Sequence, residues 1–299
     1  MNIKSILAIT DFSTAAEHGL ERAALIAARH QAKLRVIYGA EMSNLAFSDP
    51  FARLQQRGRQ LARRPAIYVE AIGHTASMLD DVVKHARSAN LLVLDHRRHR
   101  ALQTFWRGTT LDQLMRRGPC PVLIVKQAPS GWYGRVLIAD DFTVASEELV
   151  RIASSFDVES EPELFHSFET FNNAGLRSNK GSGEVMDACR QAALQDRPER
   201  LFRSSGSFGT LGHHVSSLTG RGAPAREIAV HQDFVRSDLI IVGKNRRSIC
   251  VDFLFGNVAR RLINWVNSDI LVVPHDYQAL SSAVAKERIE TMLSGVRLM

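Results

Sequence analysis

Short apolar runs alternate along the chain with longer segments in which apolar residues recur every three or four positions. The runs are rich in Val, Ile and Leu and are typical of buried parallel strands, whereas the longer segments predict amphipathic helices. The segment 15–30, for example, places Leu20, Ala23, Ala24 and Ala27 on one helical face. This alternation predicts an α/β fold with helices on both faces of a parallel sheet.

In the first half of the chain the pattern predicts five strands and four helices. The strands are predicted at 4–10, 34–40, 67–72, 91–94 and 122–125, and the helices at 15–30, 51–64, 76–88 and 111–117. Five parallel strands with helices on both faces make one Rossmann-like, doubly wound domain. One more amphipathic helix is predicted near the end of the chain, at 279–293.

The second half of the chain repeats the first. Residues 7–17, LAITDFSTAAE, align with 137–147, LIADDFTVASE, at an offset of 130, and residues 92–125 align with 240–273 at an offset of 148. The second copy therefore carries about 18 extra residues, and 172–182 has the composition of a surface loop. We predict two tandem doubly wound domains with five-stranded parallel sheets, at 1–130 and 131–278, and a helical tail at 279–299.

The last strand of each copy is apolar and would be left as an open edge. These strands are 122–125 and 270–273. Unpaired apolar edges promote aggregation, and native proteins cover them. We expect the two copies to pack through these strands as a pseudo-dimer within one chain; further self-association stays open.

The composition is that of a folded protein from a reducing compartment. Hydrophobic residues make up 45% of the chain and charged residues 23%, and the three cysteines are scattered. The apolar start is too short for a signal peptide, and no apolar run is long enough to cross a membrane. These features predict a cytoplasmic protein.

Basic residues are concentrated in the first half. Residues 1–130 contain 19 Lys and Arg against 10 Asp and Glu, while the remainder contains 19 against 21. Six arginines follow the fourth strand of the first copy: Arg97, Arg98, Arg100, Arg107, Arg116 and Arg117. Such a patch could steer an anion, but only Trp106 lies near these runs, which disfavours nucleic acid as the partner.

Candidate ligand-binding residues follow the first and fourth strands of each copy. In a doubly wound sheet, ligands bind beyond the carboxyl ends of the strands, where the strand order reverses. With the first and fourth strands as neighbours, Asp11 and Asp95 flank this crevice in copy one. In copy two it is flanked by Asp141 and Gly243. The pairs Gly108-Thr109 and Gly256-Asn257 then open predicted helices, where they can seat a phosphate or simply cap the helix.

This arrangement resembles the universal stress proteins, whose nucleotide signature after strand four is G-x2-G-x9-G-[ST] and which carry an Asp at the end of strand one. The segments Asp95-x2-Arg98-x9-Gly108-Thr109 and Gly243-x2-Arg246-x9-Gly256-Asn257 keep that spacing. The resemblance spans 2–130 and 133–276. It implies adenine nucleotide alpha hydrolase-like domains, a role in stress response and binding of ATP or AMP. The implied ligand contacts are Asp11, Gly108 and Thr109 in copy one, and Asp141, Gly243, Arg246, Gly256 and Asn257 in copy two.

Both copies depart from the signature at the glycines that let the backbone approach a phosphate. Asp95 replaces the first glycine of copy one and brings a negative charge close to the expected phosphates. Arg98 and Arg246 replace the second glycine; they either bind phosphate through their side chains or are solvated. Because Gly243 is retained, we expect copy two to be the nucleotide site if either copy binds.

Three classes of function remain open: a stress-response module that binds adenine nucleotide or another small anion, a scaffold for protein partners, and, least favoured, a nucleic-acid-associated module. The segment 220–225 matches G-x-G-x-x-A, but it does not follow a first strand. No spacing identifies a metal site. No nucleophile and base can be paired, so the sequence assigns no catalytic residue.

Overall fold

The computed structural model describes residues 3–39, 48–64, 66–76, 79–96, 120–140, 145–156, 162–168, 216–221, 223–244, 258–259, 261–274 and 277. The strands of the first copy are β1 Ser5–Thr10, β2 Lys33–Gly39, β3 Tyr68–Ala76, β4 Leu91–Asp95 and β5 Val122–Val125. Those of the second are β6 Val136–Asp140, β7 Glu163–Phe168, β8 Ser216–Arg221, β9 Leu239–Lys244 and β10 Asp269–Pro274. The helices are α1 Thr14–His30, α2 Pro50–Leu61, α3 Leu79–Ala86, α4 Ala145–Ser155 and α5 Pro224–Val235, and residues 261–265 are also helical.

The described strands form one ten-stranded sheet in the order β3-β2-β1-β4-β5-β10-β9-β6-β7-β8. Within each copy the strands are parallel, and the first and fourth strands are neighbours in both. The adjacency of the first and fourth strands, on which the expected crevice positions depend, is therefore observed in both copies, as β1 beside β4 and β6 beside β9. No helix among the described residues is long and apolar enough to cross a membrane.

The two copies join through their last strands, as expected. β5 and β10 pair antiparallel, with Leu123 opposite Leu271 at the centre. The flanking pairs are Ile124 with Ile270 and Val122 with Val272. We call this β5–β10 pairing the seam. Because Leu123 and Leu271 are equivalent in the two copies, an approximate twofold axis passes through this central pair.

Helices cover both faces of the sheet. Alternate residues of β4 point to opposite faces, as a strand requires: Leu91 and Val93 belong to the core beneath α1, and Leu92 and Leu94 belong to the other core. The buried residues of α1, α2 and α4 lie on the first face, and those of α3, α5 and 258–266 lie on the second. This arrangement confirms the doubly wound class.

The duplication is visible in individual hydrogen bonds. Asn90, before β4, accepts two backbone N–H groups through Oδ1, each at 3.0 Å, and Asp238, before β9, accepts two through Oδ2, at 2.8 and 3.1 Å. The donors are Lys4 and Ser5 in copy one, and Gly134 and Arg135 in copy two. These donors are related by the sequence offset of 130 and the acceptors by 148, so the alignment holds at atomic detail.

Element boundaries differ from prediction in one informative place. β3 continues to Ala76, where a helix was predicted to begin, and α3 begins only at Leu79. Asp80 and Asp81 occupy the first turn of α3, where carboxylates favour the helix N-terminus. The predictions for 111–117, 172–182 and 279–293 lie outside the described residues.

Candidate functional site

In copy one, the turn after β1 is fixed by its own side chains. The Ser13 N–H donates to Asp11 Oδ1 at 3.0 Å, and the Phe12 N–H donates to Thr10 Oγ1 at 3.0 Å. Ser13 caps α1 by accepting the Ala16 N–H. Asp11 is buried at the carboxyl end of the central strand. One of its oxygens therefore shapes the turn.

Phe12 lies beside this turn with φ of 65°, in the left-handed region that non-glycine residues rarely adopt. Its ring stacks on Tyr38 with centroids 5.2 Å apart, and the Arg53 guanidinium lies 5.0 Å from the Phe12 centroid. Phe12 and Arg53 border a cleft of about 660 Å³ between α1 and α2. The cleft is lined by Phe12, Glu17, Ala52, Arg53, Gln56, Arg57 and Gln60. Sequence reasoning missed it, because no motif joins α1 to α2.

Asp95 ends β4 beside β1, so the structure brings Asp11 and Asp95 to neighbouring strand ends as predicted. The Asp95 residue is 5% exposed, and burial raises the pKa of its carboxyl to about 6. It lies next to Gly19 of α1: a Cβ added at Gly19 would be 3.8 Å from the Asp95 Cβ. The first crevice therefore contains a buried carboxylate that is mostly ionised at neutral pH.

The equivalent position in copy two is Gly243, near the end of β9. Leu149 of α4 covers it, because a Cβ added at Gly243 would lie 3.5 Å from Leu149 Cδ1. Leu149 is the counterpart of Gly19, and Gly243 is the counterpart of Asp95. In copy one the strand residue has a side chain and the helix residue is glycine. In copy two the helix residue has a side chain and the strand residue is glycine. Gly243 has a packing partner in addition to its place in the signature.

The remaining predicted site residues lie outside the described part of the chain. They are Gly108, Thr109, Asp141, Arg246, Gly256 and Asn257, and Arg98 lies there too. The ligand set therefore stays a prediction. Among the residues that the structure describes, no group of three or more His, Cys, Asp or Glu is placed to hold a metal ion.

A tandem of doubly wound α/β domains, each with its strand order reversing between the first and fourth strands, defines the class of this protein. The model of the Universal stress protein family matches residues 2–126 and 133–274, and the chain belongs to this family. A search of curated protein sequences finds no match.

Solved structures match the chain over most of its length. A universal stress protein from Archaeoglobus fulgidus DSM 4304 is 14% identical with a TM-score of 0.61, covering 90% of this chain and 96% of that one. A functionally unknown protein from Pseudomonas aeruginosa PAO1 is 20% identical with a TM-score of 0.61, covering 95% of this chain and 98% of that one. At these identities the likeness concerns the fold alone.

Proposed function

We propose that this protein is a stress-response regulatory module that binds an adenine nucleotide, ATP or AMP, in the crevice of its second copy. It acts through the bound ligand or a protein partner and not through catalysis. Family membership supports the stress-response role. The choice of the second copy depends on the comparison of the two crevices.

The observation that carries this proposal is the contrast between Asp95 and Gly243. A carboxylate in a poorly solvated crevice repels a polyphosphate more strongly than one in water does. The raised pKa of about 6 at Asp95 still leaves this group charged at pH 7.5. Gly243 adds neither charge nor side chain at the same place, and Leu149 supplies an apolar wall beside it.

Isothermal titration of the full chain with ATP tests the proposal. We expect one binding event in the native protein, lost in Gly256→Asp and kept in the matched variant Gly108→Asp. We also expect Asp95→Gly to leave that event intact, since Asp95 belongs to the other copy. No heat from the native chain, or loss of binding in Gly108→Asp alone, would reject the second copy as the nucleotide site.

A scaffold role is the second candidate, and one observation favours it. Val230 and Phe234 are 62% and 84% exposed on one side of α5, one helical turn apart, although large apolar side chains are usually covered. A protein partner that uses this surface should be lost from the complex in Phe234→Glu. The nucleotide titration should be unchanged by that substitution, because α5 lies at the opposite face from α4.

A further inference from the structure

A buried polar cluster joins the two copies beside the β5–β10 seam. Arg22 of α1 in copy one lies against Asp269, the first residue of β10 in copy two, with Nε 3.3 Å from Oδ2. Tyr133, just before β6, donates its hydroxyl to the same oxygen at 2.7 Å. The Arg22 guanidinium carbon stacks 4.0 Å from the Tyr133 ring centroid. We call Arg22, Tyr133 and Asp269 the junction cluster; all three are nearly inaccessible to solvent.

The cluster also holds the connector between the copies. Asp269 Oδ1 accepts the Lys126 backbone N–H at 2.7 Å, and Arg22 donates to the Gly131 carbonyl at 2.6 Å. Burial raises the pKa of Tyr133 well above its usual range, so its hydroxyl stays protonated as a donor. The Arg22 Nε–H is not aligned on any acceptor, so its contact with Asp269 is a charge pair and not a hydrogen bond.

The positions related to the junction cluster by the duplication are apolar. Arg22 corresponds to Ile152, Tyr133 to Ile3, and Asp269 to Pro121. All three counterparts are buried. The two related halves of the junction therefore differ. The half where α1 of copy one meets β10 is ionic, and the half formed by the counterparts on α4 and before β5 is apolar.

The three facing pairs at the centre of the seam are all apolar and carry no such difference in charge. The pair Leu123–Leu271 maps onto itself under the approximate twofold, and the flanking pairs map onto each other. Two copies of β5 from different chains could thus pair through one Leu–Leu contact and two Ile–Val contacts, all of them apolar like the pairs of β5 with β10. The seam strands supply pairing without a choice of partner.

We propose that the junction cluster supplies this choice: it restricts copy one to pairing with copy two and blocks the pairing of two identical copies from different chains. Pairing copy one with copy one would bury Arg22 twice against Ile3 and Pro121, with no carboxylate. Pairing copy two with copy two would bury Asp269 twice against Ile152, with no cation. An uncompensated buried charge is far costlier than either a matched pair or an apolar contact.

A disulfide at the seam reports which copies pair. Leu123→Cys places one thiol at the centre of the seam, where it faces the same substituted position of a second chain only if two first copies pair. Leu123→Cys with Leu271→Cys in one chain reports native pairing by an intrachain disulfide. Cys189 and Cys250 are replaced by Ser in all variants. Cys120 is buried in the folded chain but would be exposed in urea, so it is replaced by Ala in all variants.

Each Leu123→Cys chain is refolded from urea at several concentrations, oxidised and separated on a non-reducing gel. With the junction cluster intact we expect almost no linked dimer. Arg22→Ile and Tyr133→Ile copy the apolar counterparts, and Asp269→Leu removes the buried charge. With all three substitutions we expect roughly tenfold more linked dimer, rising with chain concentration. Equal dimer fractions in the two backgrounds would overturn the proposal. Absence of the intrachain disulfide in the doubly substituted native background would also overturn it.

Asp269→Asn is a second, milder variant, because it removes the charge and keeps an oxygen that can accept the Lys126 N–H. It should also raise the fraction of disulfide-linked dimer, by a smaller factor than the triple variant does. This variant keeps the test decisive if the triple variant does not refold. A linked-dimer fraction identical to that of the native cluster would contradict the charge-based choice of partner.

Discussion

Leu149 lies over Gly243, and a Cβ at position 243 would be in van der Waals contact with Leu149 Cδ1 at 3.5 Å. In copy one the sizes are reversed, with Gly19 on the helix and Asp95 on the strand. Each crevice thus has one side chain where the other has none. Substitutions on either partner should therefore be coupled.

Gly243→Asp should destabilise the native chain by about 1–3 kcal/mol, because it would place a carboxylate against the apolar Leu149 side chain. Leu149→Ala is also costly on its own, since it leaves a cavity. Combined, the two changes should cost at least about 1 kcal/mol less than their sum. Urea unfolding of the single and double variants measures this coupling. Strict additivity would show that Leu149 does not interact with the side chain at position 243.

Asp95→Asn should stabilise the protein in a pH-dependent manner. The folded pKa is raised from 3.8 to about 6, so the native state binds more protons than the unfolded state between these values. Stability therefore falls as pH rises through this window, and the cost is complete above it. At pH 7.5 the amide should add on the order of 2–3 kcal/mol, and below pH 4 almost nothing.

Thermal unfolding of the Asp95 variant at pH 4, 5 and 7.5 checks this. Asp233→Asn, on the exposed side of α5, is the matched control and should lack the gain between pH 4 and pH 7.5. A melting-temperature increase of equal size for Asp95→Asn at every pH would contradict the explanation by burial of a charge.

Asn90→Leu should cost about 1–3 kcal/mol, because it leaves the backbone N–H groups of Lys4 and Ser5 without their acceptor. Asn90→Asp should be far milder, since Asp238 accepts the equivalent pair of N–H groups in copy two with a carboxylate. Urea unfolding compares the two variants. Equal losses would mean that packing, and not hydrogen bonding, dominates at this position.

Nucleic acid should not be retained by the full chain in a filter-binding assay, even at low salt. Several basic side chains of copy one are engaged within the fold: Arg57 pairs with Glu17 and Glu21, and Lys33 with Glu70. Retention whose affinity falls with salt, with a log–log slope near −0.9 per phosphate contacted, would contradict this prediction. A neutral polymer of similar length serves as the control for non-ionic adsorption.

Most of the fold could be predicted because its signals are local or repeated. The apolar runs locate the strands, and the duplication shows that the runs ending at Val125 and Val273 are equivalent edges that can cover each other. The positions of Asp11 and Asp95 follow, because residues after neighbouring parallel strands meet at one edge of the sheet. The end of β3 at Ala76 was missed, because propensity does not separate a strand from a helix there.

The features that were missed depend on how distant elements dock. Leu149 and Gly243 belong to separate motifs, and nothing in their spacing shows that one fills the space left by the other. Arg22 and Asp269 lie in different copies, and an arginine within a helical pattern is indistinguishable from a solvated one until the helix is packed. The ring of Phe12 contacts Tyr38 and Arg53, which come from other elements and share no sequence motif with it.

The single ten-stranded sheet has a consequence for how the two crevices diverge. In a homodimer of identical chains, every substitution alters both sites at once, and the two can never differ in sequence. Here both halves of the seam belong to one polypeptide, so a mutation changes one crevice and leaves its counterpart as it was. Asp95 and Gly243 occupy equivalent places with opposite chemistry. Covalent linkage thus lets one molecule keep two unlike strand ends at a constant ratio of one to one.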